Sequence, residues 1–138
     1  MSFREAWEIY CCYKKKSRFG EIKLELNADA FVKALDDLRK LFPDKKDTWF
    51  SEVKKRFFDT EFIGLDDKGY KKFRVKKNPS LGDKYRQEYR VVTLGEYKFH
   101  FCTCMFQKFR DRGGKVCTHI GAAYLRYFYN KYLGEKNV

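Results

Sequence analysis

Histidine and proline are among the scarcest residues of this chain, with two of each in 138 residues. Pro43 and Pro79 fall where turns are expected, and no proline-rich linker, internal repeat or low-complexity tract interrupts the sequence. Long apolar runs are missing too. The longest uncharged stretch is residues 116–125, well short of the roughly 20 residues a membrane helix needs. The start, MSFREAWEIYCCYKKK, lacks the basic, apolar and small segments of a secretion signal. These absences argue against a membrane protein, a repeat array and a secreted domain. The expected location is intracellular, in the cytoplasm of a prokaryote or of a virus-infected cell. Five cysteines are an odd number, and without a secretory signal reduced thiols and metal binding are expected over a disulfide framework. A phosphate-cradling glycine loop is also missing, since DRGGK at 111–115 has neither the spacing nor the preceding strand.

What the chain does have is enough apolar content, 43%, for one core, and a lopsided charge. Residues 1–67 carry 14 Lys/Arg and 14 Asp/Glu, whereas residues 68–138 carry 17 and 5, so the whole net charge of +12 lies in the second half. A single domain over 1–138 is expected, with a charge-neutral hairpin and helical part (1–67) and a basic sheet with a metal unit (68–138). Concentrated positive charge fits a polyanion-binding surface.

The periodicity supports an α+β fold. WEIYCCYKKKSRFGEIKLELN reads as a hairpin, because Ile22, Leu24 and Leu26 alternate with Glu21, Lys23 and Glu25; the capping-box spacing of Ser2 and Glu5 leaves residues 3–13 open to a helix instead. Asn27 can cap a helix with Phe31, Leu35, Leu38 and Leu41/Phe42 at helical spacing, which Pro43 ends. Asp47 or Thr48 can cap a second, with Trp49, Phe50, Val53 and Phe57 on its apolar side and Lys54, Lys55 and Arg56 outside it. From Gly69 the period becomes two, in YKKFRVKK, YRQEYRVVTL and YKFHFCTC, with LGE as a tight connection. A last helix follows, with Ile120, Ala123, Tyr124, Tyr127, Phe128 and Tyr132 on one face and Gly134 as a stop.

Between those last strands and the helix lies FHFCTCMFQKFRDRGGKVCTHIGAAYLRY, which gathers Cys102, Cys104, Cys117 and His119 within eighteen residues. Structural zinc takes four such donors in a tetrahedron. Two cysteines one residue apart on a straight strand sit about 6.6 Å apart, too far to share an ion, so the strand must curl at Thr103. Thr118 is available to cap the last helix beside Cys117 and His119. Cys11 and Cys12, adjacent and facing opposite ways in a strand, suit a core and a peripheral thiol.

Cys-x-Cys followed by a short insertion and Cys-x-His resembles the motif of the SWIM zinc finger, and residues 85–130 follow its layout of two strands, a metal knuckle and a helix. The resemblance implies one structural Zn²⁺ per chain held by Cys102, Cys104, Cys117 and His119. His100, two residues before Cys102, can replace a ligand or pack beside the site. Four ligands leave no open position for a catalytic water, and the one acid between Cys102 and Gly134, Asp111, sits among Arg110, Arg112 and Lys115, so no enzyme activity is expected.

Closing such a site presents Lys108, Arg110, Arg112 and Lys115 on one anchored loop. The strands add Lys71, Lys72, Arg74, Lys76, Lys77, Lys84, Arg86 and Arg90, interleaved with Tyr70, Phe73, Tyr85 and Tyr89. Cations that track phosphates, with aromatics able to stack on bases, suit nucleic acid, DNA ahead of RNA. Zn²⁺ is the expected cofactor and nucleic acid the expected partner, with no membrane involved. SWIM-type proteins are linked to DNA binding, recombination and protein contacts. The resemblance therefore also implies an adaptor that docks a protein partner, such as a recombinase-like protein, through residues 1–67.

Overall fold

The computed structural model describes residues 26–96, 100–104 and 116–134. The fold is α+β, and the elements follow from local sequence. Helix α1, Ala28–Leu41, starts at Asn27, whose Oδ1 accepts the Ala30 amide at 3.0 Å, and its stripe of Ala30, Phe31, Ala34, Leu35 and Leu38 is buried. Helix α2, Asp47–Arg56, differs from expectation at its start. Lys46 is the N-cap, with no side-chain cap, while Asp47 lies inside the first turn, where a negative charge suits the helix dipole. The expected hairpin, including Cys11 and Cys12, lies outside the described residues apart from its last two positions.

Among the described residues, four strands form an antiparallel sheet in the order β1-β2-β3-β4: β1 Thr60–Leu65, β2 Lys71–Lys76, β3 Tyr89–Leu94 and β4 His100–Cys102. The turn joining β1 to β2 is closed by Asp66, whose Oδ1 accepts the amides of Lys68 and Tyr70 at 2.9 and 2.8 Å. β1 was not anticipated, because its register shifts between Phe62 and Gly64 and breaks the alternation. β3 is shorter than its periodicity suggests. Residues 86–88 form a bend, and the strand begins at Tyr89 opposite Lys76.

The last helix, α3 (Thr118–Tyr132), holds the fold together. Ile120, Gly121, Ala122, Ala123, Tyr124 and Leu125 are all buried, so the helix is covered around its circumference in its first two turns. It lies between the α1–α2 pair and the inner face of the sheet, where Phe73, Val75, Val92 and Leu94 are buried. Tyr129 fixes the far end: its hydroxyl accepts the Asn27 amide at 3.0 Å, and its ring meets Phe31 and Phe57 edge-on. No described helix is long and apolar enough to cross a membrane.

Gly121 allows α3 and α2 to approach. A β-carbon there would lie 2.5 Å from Val53 Cγ2 and 2.6 Å from the Trp49 ring. Gly121→Ala is therefore expected to destabilise the protein by about 1–3 kcal/mol through overpacking, despite an intrinsic helix-propensity gain of about 1 kcal/mol. Urea unfolding checks this, and a stabilised variant would show that the helices can part at no cost.

Candidate metal centre

Cys102, Cys104, Cys117 and His119 come together. One donor atom from each lies within 4.8 Å of the others, and all four residues are buried. A tetrahedron with bonds of about 2.3 Å has edges of about 3.8 Å, so an ion can fit with small adjustments. His119 Nδ1 is buried without a hydrogen-bond partner, a costly condition that a bound cation would relieve. Among the described residues this is the one group of three or more Cys, His, Asp or Glu so arranged.

Each donor is placed by its own element. β4 ends at Cys102, and the chain turns at Thr103 and Cys104. Thr103 makes that curl: its amide donates to the Val91 carbonyl at 3.0 Å, and its hydroxyl accepts the Val91 amide at 3.1 Å. The side chain thus takes over the ladder acceptor while the backbone turns, and Cys104 swings back beside Cys102. From the other side, Cys117 is the N-cap of α3 and His119 lies in its first turn. Thr118 does not cap the helix. Its hydroxyl accepts from Arg56 Nε at 3.0 Å, while Trp49 Nε1 donates to the Val116 carbonyl at 3.1 Å, so α2 grips the chain on both sides of Cys117.

Arg56 corrects the sequence reading. It is 3% exposed and forms a two-pronged ion pair with Asp83, at 2.7 and 2.9 Å. The signal was present in the spacing: Val53, Arg56 and Phe57 stand at i, i+3 and i+4 on the buried face. Burial alone would raise the Asp83 carboxyl, but the hydrogen bonds from Arg56 and the Asn78 amide hold it below the usual carboxylate range.

The thiols influence one another strongly. Hydrogen bonds from Cys102 and Cys117 hold Cys104 low, as the thiolate, while the bond to Cys104 pushes Cys102 far up. For Cys117 the contact with Cys102 acts downward, but Cys104 and burial together push it up to about 11. Burial lowers His119, leaving a neutral imidazole able to donate a lone pair. The contacts therefore favour a single thiolate within the cluster over three.

His100 turns away from the cluster. Its Nδ1 lies 3.2 Å from the Tyr124 hydroxyl, and its ring meets Phe42 and Tyr124 edge-on. Of the candidate basic residues, Lys108, Arg110, Arg112 and Lys115 lie outside the described residues. Lys72, Arg74 and Lys76 share the outer face of β2. Lys72 donates to Thr93 at 2.7 Å, and Arg74 pairs with Glu61 and lies 4.6 Å over the Tyr89 ring. Lys71 is half-buried with its ammonium 5.1 Å over Tyr127, Lys77 is half-buried, and Lys84 and Arg86 are exposed. Phe73 faces the core.

Arg90 is not part of that surface: it is 4% exposed, with its guanidinium 3.7 Å over the Tyr85 ring. With Arg56 and Lys84 it borders a cavity of about 330 Å³ beside Cys104 and His119, where Glu52 and Asp83 offset part of the positive charge. Comparison with protein-family models, curated proteins and solved structures finds no match.

Because contact with Cys104 and burial push Cys102 and Cys117 up, binding one divalent ion through thiolates is expected to release protons, and affinity should rise with pH. Calorimetry in buffers of different ionisation enthalpy measures that release, and binding without it would contradict the thiolate assignment. Cys117→Ala should weaken metal retention and loosen the packing of α3; full occupancy in that variant would exclude Cys117 as a ligand.

Proposed function

We propose that the chain is a non-catalytic, zinc-containing nucleic-acid-binding protein, with DNA ahead of RNA. The observation that carries the reading is the closed set of four soft donors that brackets residues 105–115, a segment with Lys108, Arg110, Arg112 and Lys115 against one acid, Asp111. Three thiolates and an imidazole suit Zn²⁺ over harder ions, and four protein ligands make a structural site. The order of strand, knuckle and helix around the donors supports the resemblance to a SWIM-type unit.

The zinc centre itself would not attract phosphate, since Zn²⁺ with three thiolates and a neutral imidazole carries about −1. Its role is to anchor the chain at Cys104 and Cys117, so that Lys108, Arg110, Arg112 and Lys115 are presented on a segment closed at both ends. The outer face of β2 adds Lys72, Arg74 and Lys76, two residues apart. The partner of Arg74, Glu61, is exposed, and a surface ion pair of this kind exchanges readily for phosphate, while Lys72 is held by a single neutral hydroxyl, that of Thr93.

A second reading, an adaptor for a protein partner, is favoured by β1. This strand is a sheet edge among the described residues, and it leaves Ile63 47% and Leu65 60% exposed. Both lie in the charge-neutral half of the chain.

Titration of single-stranded DNA, duplex DNA and RNA across a salt series separates the readings. If loop and strand cations bind phosphate, changing Arg110 and Arg112 together to Ala, or Lys72 and Lys76 together, should weaken binding on every sequence. Each lost contact should flatten the log-log salt slope by about 0.9 on duplex or about 0.7 on single strands. Zinc content should stay at one per chain. Unchanged affinity and slope in both metallated variants would contradict the nucleic-acid reading, and loss of partner binding on Ile63→Asp with Leu65→Asp would favour the adaptor.

A further inference from the structure

The second nitrogen of His119 faces a built polar network that the ligand set does not account for. Nε2 lies 3.5 Å from the Tyr85 hydroxyl and 3.9 Å from Asp83 Oδ1, and the Tyr85 hydroxyl lies 3.4 Å from Asp83 Oδ2. Asp83 is itself held on both oxygens by Arg56, and Oδ2 also accepts the Asn78 amide at 2.8 Å. Arg56 closes the circuit by donating to Thr118, the residue next to His119. The Tyr85 ring is fixed in turn by the Arg90 guanidinium stacked on it at 3.7 Å.

We propose that Tyr85 and Asp83 are positioning residues for the metal centre: they engage the Nε2 side of His119 so that Nδ1 is the donor to the ion, with Arg56 holding Asp83 in place. The proposal rests on the metal reading of the four-residue cluster. A neutral imidazole has one N–H and one lone pair, and the partner that accepts the N–H decides which nitrogen is left for the metal. Here both acceptors stand on the Nε2 side, while Nδ1 is buried without a partner. The Tyr85 hydroxyl can accept from Nε2–H and pass its own hydrogen to the Asp83 carboxylate, so every proton in the chain has a place. Contacts of 3.4–3.9 Å are long for hydrogen bonds, and ion binding at Nδ1 draws the imidazole into a fixed orientation in which they can shorten.

The arrangement links the metal to the basic half. Asp83 and Tyr85 sit on the connection between β2 and β3, which also carries Lys77, Lys84 and Arg86. Seating His119 on an ion would thus fix that connection against α2 and the start of α3.

Nitrogen-15 NMR of the imidazoles in the whole chain loaded with Cd²⁺-113 tests the assignment directly. The expected result is cadmium coupling at His119 Nδ1 and a proton on Nε2; cadmium coupling at Nε2 would overturn the proposal. As a second test, Tyr85→Phe and Asp83→Asn should each lower Zn²⁺ affinity by about 10–100-fold in competition with a chromophoric chelator, while circular dichroism of the zinc-loaded variants matches the parent. Affinities within about twofold of the parent in both variants would overturn it as well. The NMR measurement uses the unaltered chain, so it decides the matter even if Asp83→Asn does not fold. A chain that binds no ion at all would overturn the metal reading itself, whereas one ion bound through Nε2 would overturn this inference alone.

Discussion

Three sulfurs and an imidazole held within 4.8 Å of one another form the contact on which the C-terminal half turns. Left to themselves, the thiols cannot all ionise, because each thiolate raises the cost of the next in a buried site. A divalent cation reverses the sign of that interaction. What is a repulsive cluster as thiolates becomes a cross-link between the end of β4 and the start of α3, two segments with no covalent proximity. The stabilisation from such a link is folding free energy, because the unfolded chain does not gather the four donors.

The rest of the structure brings the two halves of that link into register. Thr103 bends the strand end by lending its hydroxyl to the sheet ladder. Trp49 and Arg56, both from α2, hold the backbone before and after Cys117. α3 then runs from the donors through the centre of the fold, between the helical pair and the sheet, so a displacement at its first turn is felt by Ile120, Ala123 and Leu125 in the core. Gly121 matters here because α3 and α2 approach closely at the same turn that carries His119.

Much of this was legible in the residues. The Asn27 cap and the Pro43 stop bracket α1 closely, and the Cys-x-Cys and Cys-x-His pairs identify the four donors that the fold assembles. The need for a curl at Thr103 followed from strand geometry. Misreadings came where tertiary contacts override local pattern. β1 hides because a bulge at Ile63 breaks its alternation, and the N-cap of α2, Lys46, lies one residue before the best capping side chain. Arg56 and Arg90 carry the charge of surface residues yet are buried, one paired with Asp83 and the other stacked on Tyr85. Their partners lie 27 and 5 residues away in the chain, on a connection whose second half, YRQEYRVV, reads as strand by its alternation. The carboxylate and phenol behind His119 were invisible for the same reason, since nothing in the spacing of Asp83 and Tyr85 points to a residue more than 30 positions later.

The central claim is that one ion joins Cys102, Cys104, Cys117 and His119. X-ray absorption at the zinc edge of the purified, fully loaded protein tests it most directly, because it reads ligand type and distance without disturbing the fold. The account predicts about three sulfurs near 2.3 Å and one nitrogen near 2.0 Å, with no bound water. Two nitrogen ligands, or oxygen in place of a sulfur, would contradict it and bring His100 or a carboxylate into the coordination sphere.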